Sequence, residues 1–180
     1  MQLFNEAYTG AWIMRNENAR KPDFFSANIP DFAYNLGSSE IAVVFNKPLK
    51  FQSQMVKTRG LTYDESTGII SGLKPDTKYK VDINVNVRNH PVNYGYMWYL
   101  YNGASSADDG GVLYPQCAVL GYPNSLNGNY LASANVTCTI DPAFITTPSP
   151  KNLQLQLING SPYTQSAYLG TSLFIEEILE

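Results

Sequence analysis

Between Lys80 and Arg88 the chain alternates without a break, with Val81, Ile83, Val85 and Val87 on one side and Lys80, Asp82, Asn84, Asn86 and Arg88 on the other. Period two with β-branched residues on the apolar side predicts a strand with one buried face. The stretch leading into it, from Leu61, reads as strand, turn, strand, turn, strand. Earlier come a short apolar piece at Phe24–Ala27, a strong run at Ile41–Phe45 stopped by Asn46-Lys47-Pro48, and a weaker run from Phe51 to Lys57. Later come Pro115–Leu120, Tyr130–Ile140, Leu153–Leu157 and Ser172–Leu179. Turn signals punctuate them at Asn102-Gly103, Asp109-Gly110-Gly111, Asn127-Gly128 and Asn159-Gly160. Tyr94–Tyr101 is aromatic on both sides. Such a strand needs the core on one face and a second cover, a neighbouring subunit, on the other. Eight to ten short strands without a long helix predict an antiparallel sandwich or jelly roll.

The first twenty residues break this pattern. Leu3, Phe4, Ala7, Ala11 and Met14 fall loosely at helical spacing, but Gly10 interrupts them and no cap is present. We read residues 1–20 as an arm and 21–180 as the sandwich domain. Phe4, Tyr8, Trp12 and Ile13 make the arm too apolar for a free tail, so it is expected to pack on its own domain or to anchor the domain to a partner. It lacks the charged start and apolar stretch of a secretory signal, and no apolar run reaches the roughly 20 residues that span a bilayer.

The chain has 180 residues, enough for one domain with a proper core. Only 15% of them are charged and the net charge is −3, so the surface relies on Asn, Ser, Thr and Gln, and no basic stripe offers itself to nucleic acid. Catalytic chemistry is sparse. His90 is the one histidine, stands before Pro91 at a strand end, and has no nucleophile and orienting group marked beside it. Two cysteines and one histidine do not make a zinc site. Asp108 and Asp109, beside Gly110 and Gly111, and Asp64-Glu65 are the candidates for calcium, with solvated turn residues as the plainer reading. Cys117 and Cys138 are expected as free thiols; their alternative is a disulfide closing about twenty residues, worth about 3 kcal/mol. Tyr122, Tyr130, Tyr163 and Tyr168 lie in segments rich in Asn, Gln and Ser, a composition suited to an adaptable contact surface for a glycan or protein receptor.

The piece Leu73-Lys74-Pro75-Asp76-Thr77-Lys78-Tyr79 has the form of the tyrosine corner of a fibronectin-type sandwich. Against that fold, no tryptophan lies between Trp12 and Trp98, and about a hundred residues follow Tyr79. A different set of residues fits better. Phe25-Ser26-Ala27, Val43-Val44-Phe45, Tyr63-Asp64-Glu65-Ser66-Thr67-Gly68-Ile69, Pro75 with Tyr79-Lys80-Val81, Tyr99-Leu100-Tyr101-Asn102-Gly103 and Thr171-Ser172-Leu173-Phe174-Ile175 occur in that order over residues 21–179. In order and spacing this resembles the complement C1q-type globular head of the tumour necrosis factor-like jelly-roll superfamily.

The resemblance implies a ten-stranded antiparallel jelly roll that assembles as a homotrimer, with Tyr94, Tyr96, Trp98, Tyr99 and Phe174 at the interface. It implies a binding or assembly head rather than an enzyme, without cofactor. Similar heads occur on virus particles as fibre tips or capsid decorations, made in the host cytoplasm. The expected partners are therefore the chain itself, a capsid or fibre shaft through residues 1–20, and a cell-surface receptor. The alternatives are an extracellular lectin or adhesion module and a carbohydrate-active jelly roll.

Overall fold

The computed structural model describes residues 20–30, 40–74, 76–88, 96–102, 112–121, 132–140 and 153–179, with backbone alone at 102, 112–117, 132–134 and 153. These residues form two antiparallel sheets. In chain order the strands are β1 (Phe24–Asn28), β2 (Glu40–Val43), β3 (Val56–Arg59), β4 (Thr62–Asp64), β5 (Ile69–Leu73), β6 (Tyr79–Arg88), β7 (Tyr96–Asn102), β8 (Val112–Gly121), β9 (Ala132–Ile140), β10 (Leu153–Asn159), β11 (Gln165–Tyr168) and β12 (Ser172–Glu177). One sheet runs β2-β11-β6-β12-β1-β3 with β9 also on β6; the other runs β4-β5-β10-β7-β8. The jelly roll is thus present, and short strands bring the described number to twelve against the ten expected.

β6 follows its sequence pattern residue by residue. Tyr79, Val81, Ile83, Val85 and Val87 are buried between the sheets while the polar positions face out. Each such aliphatic side chain contributes roughly 1.5–3 kcal/mol on burial. Leu173 and Ile175 of β12, Phe25 and Ala27 of β1, and Trp98 and Leu100 of β7 complete the same core.

Two local motifs brace the sheets. At Tyr63–Gly68 the Asp64 carboxylate accepts bonds from the Ser66 amide and hydroxyl and from the Thr67 hydroxyl. Those bonds, the two from Ser66 and Thr67 side chains first, hold its carboxyl below the usual carboxylate range. Gly68 closes the turn at φ +78, and a Cβ there would stand 2.9 Å from the Leu49 carbonyl oxygen. The Tyr63 hydroxyl meanwhile accepts the Phe51 N–H at 2.7 Å and donates to the Phe51 carbonyl at 3.2 Å. Sixteen residues on from Tyr63, the Tyr79 hydroxyl accepts the Lys74 N–H at 2.9 Å. This is the bond of a tyrosine corner, made inside a jelly roll, so the motif seen in the sequence is real although it does not indicate a fibronectin fold.

The closing segment 165–177 is one strand broken at its middle. β11 pairs with β2 and the end of β6, whereas β12 pairs with β1 and the start of β6. At the break Gly170 adopts φ +79, and the ladder bonds to Asn86 are replaced by a side chain. The Thr171 hydroxyl, fully buried, accepts the Asn86 N–H and donates to the Asn86 carbonyl, each at 3.0 Å. Asn84 and Asn86 donate their amides to the Gly170 and Leu169 carbonyls. These asparagines belong to the outward row of β6, and here they satisfy carbonyls that the break would leave bare.

Candidate contact surface

Strand direction gives the molecule two unlike ends. Phe24 pairs with Glu176 and Tyr79 with Glu177, so the described chain enters at Arg20 and leaves at Leu179 on the same end, here called the root. Leu73 faces Leu153 and Ile140 faces Tyr79, so these strand ends are at the root as well. The opposite, distal end holds Arg88, Tyr96, Gly121, Ala132 and the turn from Asn159 to Gln165. The strand ends that flank residues 89–95 and 122–131 are therefore distal, and those that flank 103–111 and 141–152 are at the root.

Large apolar side chains are exposed at both ends, Ile178 and Leu179 at the root and three more at the distal end. Leu120 is 67% exposed, and Val44 and Phe45 are each 49% exposed. Leu120 pairs with Met97, whose carbonyl accepts the Gly160 N–H; Asn159 in turn accepts the Asn46 N–H beside Phe45. Leu120, Val44 and Phe45 thus mark a partly apolar rim at this end, linked through the backbone of Met97, Asn159 and Gly160. A buried polar set supports it from beneath. The Asn159 amide donates to the Val43 and Tyr163 carbonyls, its oxygen accepts the Ser161 N–H, and the Trp98 indole N–H donates to Gln165 at 2.6 Å. Gln165 is fully buried because the indole, enclosed in the core, needs an acceptor. Sequence reasoning missed the rim and Gln165 alike; exposure of Leu120 depends on which face of β8 points outward, which no local pattern states.

The aromatic strand β7 carries three of the residues expected at the subunit interface. Tyr96 and Trp98 are buried between the sheets, and Tyr99 packs with Tyr101 and Ile158 on the other face, 6% exposed. All three are buried within the single chain. Burial also pushes the Tyr96 phenol up. Phe174 is half-buried on the outer face of the other sheet, in register with Ser26 and Asp82. Tyr94 lies outside the described residues.

Of the tyrosines proposed for contact loops, Tyr163 is half-buried in the distal turn. Tyr168 is in strand β11 rather than a loop, and its ring lies under the Arg88 guanidinium at 5.4 Å, which also binds Glu40 at 2.6 Å. Tyr122 and Tyr130 are outside the described residues, as are Phe4, Tyr8, Trp12, Ile13, His90, Asp108 and Asp109. Among the described residues no group of His, Cys, Asp and Glu is gathered to hold a metal. Cys138 is disulfide-bonded and Cys117 is the other cysteine of the chain, which corrects the expectation of free thiols. β8 and β9 belong to different sheets and lie against one another, close enough for a crosslink between them.

No protein-family model matches the chain, and no curated protein matches it in sequence. Solved structures do. Eiger TNF from S. frugiperda superposes with a TM-score of 0.60 at 11% identity, covering 89% of this chain and 95% of that one. Murine APRIL at pH 5.0 gives 0.52 at 11% identity, covering 88% of this chain and 100% of that one. At this identity the likeness is one of fold, and the fold of the chain is a tumour necrosis factor-like jelly roll.

Proposed function

We propose that the chain is a non-enzymatic head that assembles as a homotrimer on the surface of a virus particle, as a fibre tip or capsid decoration. Residues 1–20 attach it, and the distal end meets its target. The observation that carries this reading is the opposition of the two ends. The chain enters and leaves at the root, while exposed Leu120, Val44 and Phe45 and the strand ends flanking Tyr122 and Tyr130 are distal. A head anchored at one end leaves the other free for contact. For the trimer, the outer face around Phe174 supplies the surface, since β7 is enclosed by its own chain.

Deleting residues 1–20 is expected to leave the assembly state unchanged while abolishing co-sedimentation with virus particles from the producing culture. Co-sedimentation at the full-length level would refute the anchoring role. A second reading, an extracellular lectin or adhesion module, is favoured by the disulfide at Cys138, because such bonds persist in oxidising surroundings. Recovery of the full-length chain from the medium without particles would select it.

A further inference from the structure

The root carries a charge cluster that the proposed function does not use. Glu177 is the last residue of β12, and its side chain is 2% exposed. An acid so enclosed needs donors, and two chain segments supply three of them. The Arg20 guanidinium binds its Oε1 at 2.5 Å, the Asp23 backbone N–H binds its Oε2 at 3.0 Å, and the Lys74 ammonium stands 3.6 Å from Oε1. Lys74 also binds the Asp23 carboxylate at 2.5 Å. A further arginine holds the same segment from another side: Arg59 of β3 donates Nε and Nη2 to the Pro22 carbonyl at 2.9 and 2.6 Å.

We infer that Glu177 is the catch of a strap, which locks residues 20–23 onto the closing strand and fixes the position of the chain at Arg20. Ladder pairing of β1 begins at Phe24, and ahead of it the segment has one described backbone bond to the closing strand, from the Glu177 N–H to the Asp23 carbonyl at 2.8 Å. To that single bond, side chains from β12, from the turn between β5 and β6, and from β3 add the rest of the hold. A pull at Arg20 is thus shared among three elements before it reaches β1, which is paired on both sides by β12 and β3. Glu177 is the common point, since it binds both ends of the segment, Arg20 and Asp23, with separate oxygens. The inference is independent of what the distal end contacts and of how many copies assemble.

The test uses the full chain and three variants: Glu177→Gln, Lys74→Met, and the control Ile175→Val, which trims a core residue of the same strand without touching the cluster. Two readouts follow the segment, hydrogen exchange of the Asp23 amide and trypsin cleavage after Arg20; the next basic residue, Lys21, precedes a proline and resists the enzyme. Both rates are expected to rise at least about tenfold in Glu177→Gln and by a smaller factor in Lys74→Met. Exchange at Val81 and Ile83 stays at the wild-type rate in these two variants, and the control leaves cleavage after Arg20 unchanged. If Asp23 exchange is unaltered in both charge variants, or if Asp23, Val81 and Ile83 accelerate in parallel, the catch is refuted. Should Glu177→Gln not fold, Lys74→Met decides by the same criteria.

Discussion

Tyr63 joins two neighbouring segments with one hydroxyl, accepting from and donating to the backbone of Phe51 while its ring stands 5.4 Å from that of Phe25. Burial is the main cause that pushes its phenol up from 10.0 to about 12, with the Glu65 and Asp64 charges adding to it and the Phe51 bond opposing it. Because the folded value lies above the unfolded one, the stability this proton supplies is intact below pH 10.0 and is lost as the pH rises towards about 12. Tyr63→Phe is therefore expected to cost roughly 1–3 kcal/mol at neutral pH, from two backbone groups left without a partner. Its urea-unfolding stability should also fall less than that of the wild type between those pH values. The Tyr63-Asp64-x-x-Thr67-Gly68 pattern was legible because every interaction it makes within the turn is local. Glu177 was not. At a strand terminus an acid reads as a solvated residue, and only the arrival of Arg20 and Lys74 from distant parts of the chain explains its burial.

Among the elements, the strands with strong alternation or apolar runs were foreseen, β6 above all. β11 was missed, and its inward residues show why. They are Gln165 and Ala167, a polar side chain and a small one, which give no alternating signal. Their burial follows from partners elsewhere, the Trp98 indole in the case of Gln165. The break after β11 depends on Thr171, whose hydroxyl stands in for a strand partner. Thr171→Val keeps the shape and removes the hydroxyl, so it is expected to lower unfolding free energy by about 2 kcal/mol or more, whereas Thr171→Ser stays near the wild type. Equal losses for both variants, measured by urea unfolding, would mean that methyl packing and not the hydroxyl holds the break. The disulfide acts at the same scale. Closing a loop of about twenty residues, it is expected to contribute about 2–4 kcal/mol, which Cys138→Ser removes. A change of a few tenths in that variant would show that the unfolded chain is not constrained by the bond.

The whole molecule was legible as a jelly roll because strand order, turn spacing and the residues of the resemblance agree over most of the chain. The layout of its surfaces was not, since the side of a sheet that stays open is decided by packing between segments far apart in sequence. Thus the aromatic strand β7, read as half interface, is enclosed by its own chain, and exposed Leu120 and Phe45 were not anticipated. The opposition of root and distal end supports the proposed head, and the proposed threefold assembly would set three such ends side by side. Assembly is therefore the most direct test of the account. Light scattering of the full chain in solution is expected to give three times the 20.0 kDa chain mass, stable on dilution. A particle of 20.0 kDa at every concentration would contradict the trimeric head.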